Sequence, residues 1–152
     1  MHPFDPRRAR GFLLALALCL LATAAAAAET AVRTARIQVA GHPLRVEVVS
    51  TDAERAKGLM FREKLGRDDG MLFIFDEPAY HSMWMKDTLI ALSVAFVDAQ
   101  GTILSIHDME PRTLDSHMSA GPSIYAIETN KGWFREKGIK AGDKVTGLPR
   151  KN

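Results

Sequence analysis

The sequence predicts a mainly β protein, a compact β-sandwich or partly open barrel with two short helices, and three observations carry that expectation. Apolar and polar residues alternate in several runs of strand length, turn residues separate the runs at short intervals, and only two short stretches carry helix signals. No repeat or low-complexity linker divides residues 29–152, which are read as a single β-rich domain.

Residues 1–28 stand apart. Arg7, Arg8 and Arg10 precede the apolar run from Phe12 to Leu21, and small residues ending Ala26-Ala27-Ala28 lead to Glu29, the three parts of a secretory signal peptide. A retained anchor is the competing reading, but the strongly apolar core falls short of the roughly 18–20 residues that cross a bilayer. Cleavage near Ala28 is expected, giving a periplasmic or secreted product that touches a membrane only through this segment if it is kept. Cys19 is the sole cysteine and follows Leu18, where a lipid-anchored protein wants a small residue, so it is read as part of the apolar run. The chain has 20 basic and 18 acidic residues, and removing three arginines and Asp5 with the signal leaves the two signs equal. Charge therefore implies neither nucleic acid nor an anionic membrane as a partner. Without a disulfide, the exported part must be stabilised by a packed core.

Ile37 and Val39, then Leu44, Val46 and Val48, alternate with polar residues around Gly41-His42-Pro43, which predicts a hairpin with His42 in its turn. Thr51 followed by Glu54 is a capping pair that starts a short helix ending near Gly58. Arg55 and Arg62 bracket Leu59-Met60-Phe61 and are placed towards a shared cleft. Arg67-Asp68-Asp69-Gly70 reads as a turn. The paired aspartates lack the further oxygen ligands of a calcium loop, so no metal is expected there. Met71 to Phe75 follows as a strand buried on both faces, which Asp76-Glu77-Pro78 is expected to end, because proline cannot donate to a ladder.

The stretch from His81 to Asp98 concentrates the chemistry. If Ser82 to Thr88 is extended, Met83, Met85 and Asp87 lie on one face and Trp84, Lys86 and Thr88 on the other. The methionines make a core face, and the second face offers a flat indole beside a cation and a hydroxyl, a set suited to a sugar, a carboxylate-bearing ligand or a partner's extended segment. The plain alternative is that Trp84 packs under a loop and Lys86 reaches solvent. Ser82 and Lys86 could pair as a nucleophile only on a helix, since in a strand they stand about 13 Å apart. His81, Met83 and Met85 on one face would suit Cu(I), although methionine more often fills a core.

From Leu89 the chain runs apolar to Val97, turns at Asp98-Ala99-Gln100-Gly101 and returns over 102–106. His107, Asp108, Glu110, Asp115 and His117 then gather in what reads as an exposed loop, where zinc ligands or a hydrolase base could sit, though neither a metal-ligand motif nor a nucleophile elbow is present. Over Ile124 to Glu128, alternation puts Tyr125 and Ile127 on one face and Ala126 and Glu128 on the other. Glu128 is expected either to pair with Lys86, Arg55 or Arg62 or to be a solvated strand end. A helical turn over 132–138 and a last strand after Gly142-Asp143 complete the chain, with Asp143 holding that turn.

Ala53 to Arg62, Gly70 to Phe75, Trp84-Met85-Lys86-Asp87-Thr88-Leu89-Ile90, Phe96-Val97-Asp98 with Gly101, and Gly142-Asp143 resemble the domain of unknown function 192 family, in order across nearly all of residues 36–149. The resemblance implies a compact, mainly β domain, often exported in bacteria, and implies no reaction. The family commonly reads Trp-Met-Lys-Asn-Thr-Leu-Ile-Pro-Leu-Asp where this chain has Asp87, Ala91 and Ser93 at the asparagine, proline and last aspartate.

These readings combine into an expected function: an exported module that binds a small molecule or cell-envelope component without transforming it. Arg55, Arg62, Trp84, Lys86, Thr88, Asp98 and Glu128 are the candidate ligand-binding residues, of which the first five match the family motif, and no cofactor is expected. The alternatives are a hydrolase of an envelope polymer, using Asp98, Glu128 or the His107 to His117 region, and a periplasmic Cu(I)-binding protein.

Overall fold

A computed structural model of the protein describes residues 32–150. The predicted signal peptide, with Cys19, lies outside the described residues. Among those described, no helix is long and apolar enough to cross a membrane.

The first alternating run forms a hairpin of β1 (Thr34–Val39) and β2 (His42–Val49), in register from Thr34 opposite Glu47 to Val39 opposite His42. Its turn is Ala40-Gly41, both with positive φ, at 48° and 82°, which matches the twist of the two strands. His42 is therefore the first residue of β2 and not a turn residue. The capping pair forms as expected. In α1 (Asp52–Lys57) the Thr51 hydroxyl accepts from the Glu54 amide at 3.3 Å, and the Glu54 carboxylate accepts from the Thr51 amide at 2.9 Å. Thr51→Ala is expected to cost about 1 kcal/mol in urea unfolding; an unchanged midpoint would show the cap to be idle.

The strand predicted to stop before Pro78 runs on: β3 is Asp69–Ala79, parallel to β2 and antiparallel to β8 (Ser123–Asn130). Proline is tolerated because the β3–β8 register shifts between Ile74 and Ala79, so no ladder partner faces Pro78. The apolar run after Leu89 becomes a strand only at β5 (Leu92–Val97), and β6 (Ile103–Met109) includes His107, Asp108 and Met109, which the sequence placed in a loop. The helical turn is α2 (Trp133–Glu136), and β9 (Val145–Thr146) closes the chain. Asp143 holds its turn by accepting from the Lys140 amide at 2.8 Å. A separate ribbon pairs β4 (Ser82–Met83) with β7 (His117–Met118).

The main sheet has the order β6-β5-β8-β3-β2-β1-β9 and curls into a partly open barrel. Its two edges meet at one end, where Thr102 bridges Lys144 and the Val145 amide donates to the Gly101 carbonyl at 2.8 Å. A Cβ at Gly101 would lie 2.5 Å from the carbonyl oxygen of Val145, so the closure depends on glycine. One sheet face, to which every strand contributes, carries Ile37, Val46, Leu72, Val97, Ile103, Ile127 and Val145 and is filled by Trp133 and Phe134 of α2. The Trp133 indole donates to Asp68 at 2.9 Å, and Asp69 is ion-paired to Arg45, so the paired aspartates are both structural. The other face, built from Met71, Phe73, Val94, Phe96 and Ala126, is covered by Leu59 and Met85 from the connecting segments. The candidate site lies on this second face.

Candidate functional site

Strand alternation places Glu128 on the second face, two residues beyond Ala126, between Met71 of β3 and Val94 of β5. A Cβ at Gly70 would stand 2.5 Å from the Glu128 carbonyl, and its absence lets β3 run close beside β8 at this point. Above Glu128 is a cleft of about 230 Å³. One wall is α1 with Gly58 to Met60, the other is Ser82 to Trp84 with Thr88, and Phe73 and Phe75 line the base beside Glu128. Glu128 is 3% exposed, and its side chain makes no hydrogen bond or ion pair among the described residues. Burial pushes its carboxyl up to about 8, so it carries its proton at neutral pH.

Trp84 is the open wall of this cleft. The residue is 51% exposed, and the Lys86 ammonium lies 5.6 Å from the centre of its ring. The extended run considered from Ser82 to Thr88 forms a strand only over β4, Ser82–Met83. After Met83 the backbone turns, with the Thr88 amide donating to the Met85 carbonyl at 3.1 Å and Asp87 at a φ of +53°. The two-residue β7 offers no longer edge to pair with, and the loop backbone is satisfied instead by Phe61, Arg112 and Thr113. Aspartate, like the asparagine it replaces in the motif, adopts a left-handed conformation more readily than most residues. Met85 drives into the core, and Thr88 is buried with its hydroxyl donated to the Lys86 carbonyl at 3.2 Å. Trp84, Lys86 and Thr88 therefore do not share a strand face.

The expected cation partners of Glu128 are all engaged elsewhere. Arg55 lines the cleft, but its guanidinium donates to the Ser50 and Ile74 carbonyls at 2.5 and 2.8 Å and pairs with Asp52 and Asp76. Arg62 forks onto Glu47 at 2.7 and 2.5 Å, in a different and larger groove of about 620 Å³ beside β2. That groove also holds the Arg45–Asp69 pair, so both of its arginines are already matched by carboxylates. Asp98 caps its own hairpin, accepting from the Gln100 and Thr102 amides at 2.9 and 2.8 Å, which is turn chemistry. Of the seven candidates, the structure brings Arg55, Trp84, Thr88 and Glu128 together, sets Lys86 against the Trp84 ring and separates Arg62 and Asp98. The sequence missed Met60, Phe75 and Met83 as cleft walls. The two-residue period was visible in Phe73 and Phe75, but nothing local marked which face would be left open.

The second cluster divides across β6. Asp108 accepts from the Ser93 hydroxyl at 2.5 Å and from Arg135 at 2.8 Å, and both bonds hold its carboxyl below the usual range. Ser93 in turn accepts from the Gly132 amide at 2.8 Å, tying α2 to β5. His107 points the other way, 5.9 Å from the His117 ring, and burial lowers its pKa. A base and orienting acid do not converge there, so the predicted catalytic arrangement is absent at these residues. The soft-metal set is likewise dispersed: His81 stacks on Phe75 at 3.6 Å and donates to the Glu77 carbonyl, while Met85 is fully buried. No cluster of three or more His, Cys, Asp or Glu suited to a metal occurs among the described residues.

Comparison with known proteins gives a family and a fold. The family DUF192, described as Uncharacterized ACR, matches residues 35–147. A crystal structure from Sinorhizobium meliloti, named a candidate transcription regulator, is 34% identical with a TM-score of 0.74, over 76% of this chain and 95% of that one. A protein of unknown function from Novosphingobium aromaticivorans is 35% identical with a TM-score of 0.73, over 80% of this chain and 90% of that one. The curated proteins give no significant match.

Proposed function

The chain belongs to the DUF192 family, and we propose that this member is an exported module that binds a small molecule or envelope component in the Trp84–Glu128 cleft without transforming it. One observation carries the reading: a largely buried carboxyl, with no side-chain partner among the described residues, opens into a cleft whose wall is a half-exposed tryptophan. No side-chain polar atom among the described residues is both sealed from solvent and unpaired, so the Glu128 carboxyl is reached from the cleft, where a ligand group can take the place of water in hydrogen-bonding it. A flat ring beside it supplies area and orientation. The signal-like segment at 1–28 supports a place in the periplasm or outside the cell, and the balanced charge of the remainder favours neither nucleic acid nor membrane as partner. The cleft is lined by a single carboxyl and by no imidazole, a set that favours holding a ligand over hydrolysing one.

The test is a thermal-shift screen of the purified protein against sugars, cell-wall fragments, nucleotides and metals. A ligand at about a hundredfold over its Kd stabilises the fold by roughly 2.7 kcal/mol. Trp84→Ala is expected to abolish the shift and to cost the unliganded fold about 1 kcal/mol or less, because the ring is half exposed. A shift retained in full by Trp84→Ala and by Glu128→Ala would remove the cleft from the binding site. Cell fractionation tests export, and a protein found only in the cytoplasm would overturn it.

A further inference from the structure

We propose that the cleft takes a neutral, ring-shaped ligand of the carbohydrate type, with its ring against Trp84 and an oxygen hydrogen-bonded to the carboxyl of Glu128. This rests on the binding reading above and adds to it the chemical class of the ligand. Size is the first argument. At about 230 Å³ the cleft is below the usual roughly 300–1,000 Å³ of drug-sized sites, so it fits a single ring with short substituents. The walls are the second. Trp84, Phe75, Met60 and Met83 present aromatic and thioether surface, which suits the C–H face of a pyranose, and Glu128 is the buried polar group able to fix its orientation.

Charge is the third argument. The charged side chains lining the cleft are Arg55 and Lys57 from α1, together with Glu128 itself. The neighbours of Glu128 on β3 and β5 are Met71 and Val94, and the segment opposite α1 contributes Ser82, Met83, Trp84 and Thr88, all uncharged. An ammonium-bearing ligand would approach these cations, and could form a salt bridge to Glu128 only by having it ionise inside a largely apolar site. A neutral oxygen acceptor requires no change of charge on either partner.

Three sugars that share one ring and differ in charge test this by calorimetric titration: N-acetylglucosamine, glucosamine and glucuronic acid. At pH 6.5, where glucosamine is a cation, N-acetylglucosamine is expected to bind at least tenfold more tightly than glucosamine and at least as tightly as glucuronic acid, whose carboxylate could gain only Lys57 because Arg55 is held by Asp52 and Asp76. Raising the pH to 9.5 leaves Glu128 mostly ionised and is expected to weaken N-acetylglucosamine by roughly 30-fold, the ratio of the protonated fractions. Glu128→Gln, checked for folding by near-UV circular dichroism, keeps a donor and is expected to bind at both pH values alike. Tighter binding of glucosamine at pH 6.5, or a wild-type affinity for N-acetylglucosamine indifferent to pH, overturns the proposal. If no sugar binds but another compound gives a Trp84-dependent thermal shift, the ligand class is wrong and the binding cleft stands. If no compound gives such a shift, the cleft reading fails and takes the ligand class with it.

Discussion

Glu128→Gln is expected to raise the thermal midpoint at pH 9 and to leave it nearly unchanged at pH 4. The sign follows from proton counting. Glu128 titrates near 8 when folded and near 4.5 as a free side chain, because burial disfavours its charge. Between those values the folded protein binds the extra proton, so each step up in pH withdraws stability. The stability of the protonated form is fully present below about 4.5 and is lost as the pH passes through about 8. Ionising a carboxyl so displaced costs a few kcal/mol, which corresponds to roughly 10 °C in a domain of this size. Glutamine keeps the shape and cannot ionise, so its profile lacks this alkaline fall. Melting curves of both proteins from pH 4 to pH 9.5 provide the measurement, and parallel profiles would show that Glu128 ionises without cost.

Arg55→Ala is expected to cost about 2–4 kcal/mol in urea unfolding. The Arg55 side chain is 14% exposed and joins α1 to the loop before it and to β3, through the Ser50 and Ile74 carbonyls, with Asp52 and Asp76 completing its contacts. Alanine leaves those carbonyls without this donor and loosens one wall of the cleft. Arg55→Lys is expected to recover only a minority of the loss, since an ammonium on a flexible stem cannot reproduce the fork. Arg62→Ala is the internal comparison. Its side chain is 37% exposed on a surface pair with Glu47, worth about 1 kcal/mol or less. Equal costs for the two arginines would contradict the assignment of Arg55 as the clamp.

Both predictions depend on where two polar side chains end up, and the sequence described their surroundings unevenly. Thr51 and Glu54 are three residues apart, so the capping box was legible from their order alone. The alternation that separates Glu128 from Ile127 was equally local. Pro78 was misread because its cost depends on whether a partner strand faces it, and the register shift between Ile74 and Ala79 removes that partner. Thr88 was misread because an extended run needs an edge to pair with, and β7 ends after two residues.

The sequence by itself determined the mainly β class, the hairpins, the two short helices, the family and the face of β8 on which Glu128 stands. These follow from periods of two residues and from contacts within a few positions, which order in the chain fixes directly. Only the tertiary structure decided that the sheet curls until Thr102 meets Lys144, that Arg55 and Arg62 serve different neighbours, and that Glu128 is buried at a cleft without an ion pair to either cation lining it. The physical reason is that partnership between charges depends on distance and burial, and segments tens of residues apart acquire both only when they pack.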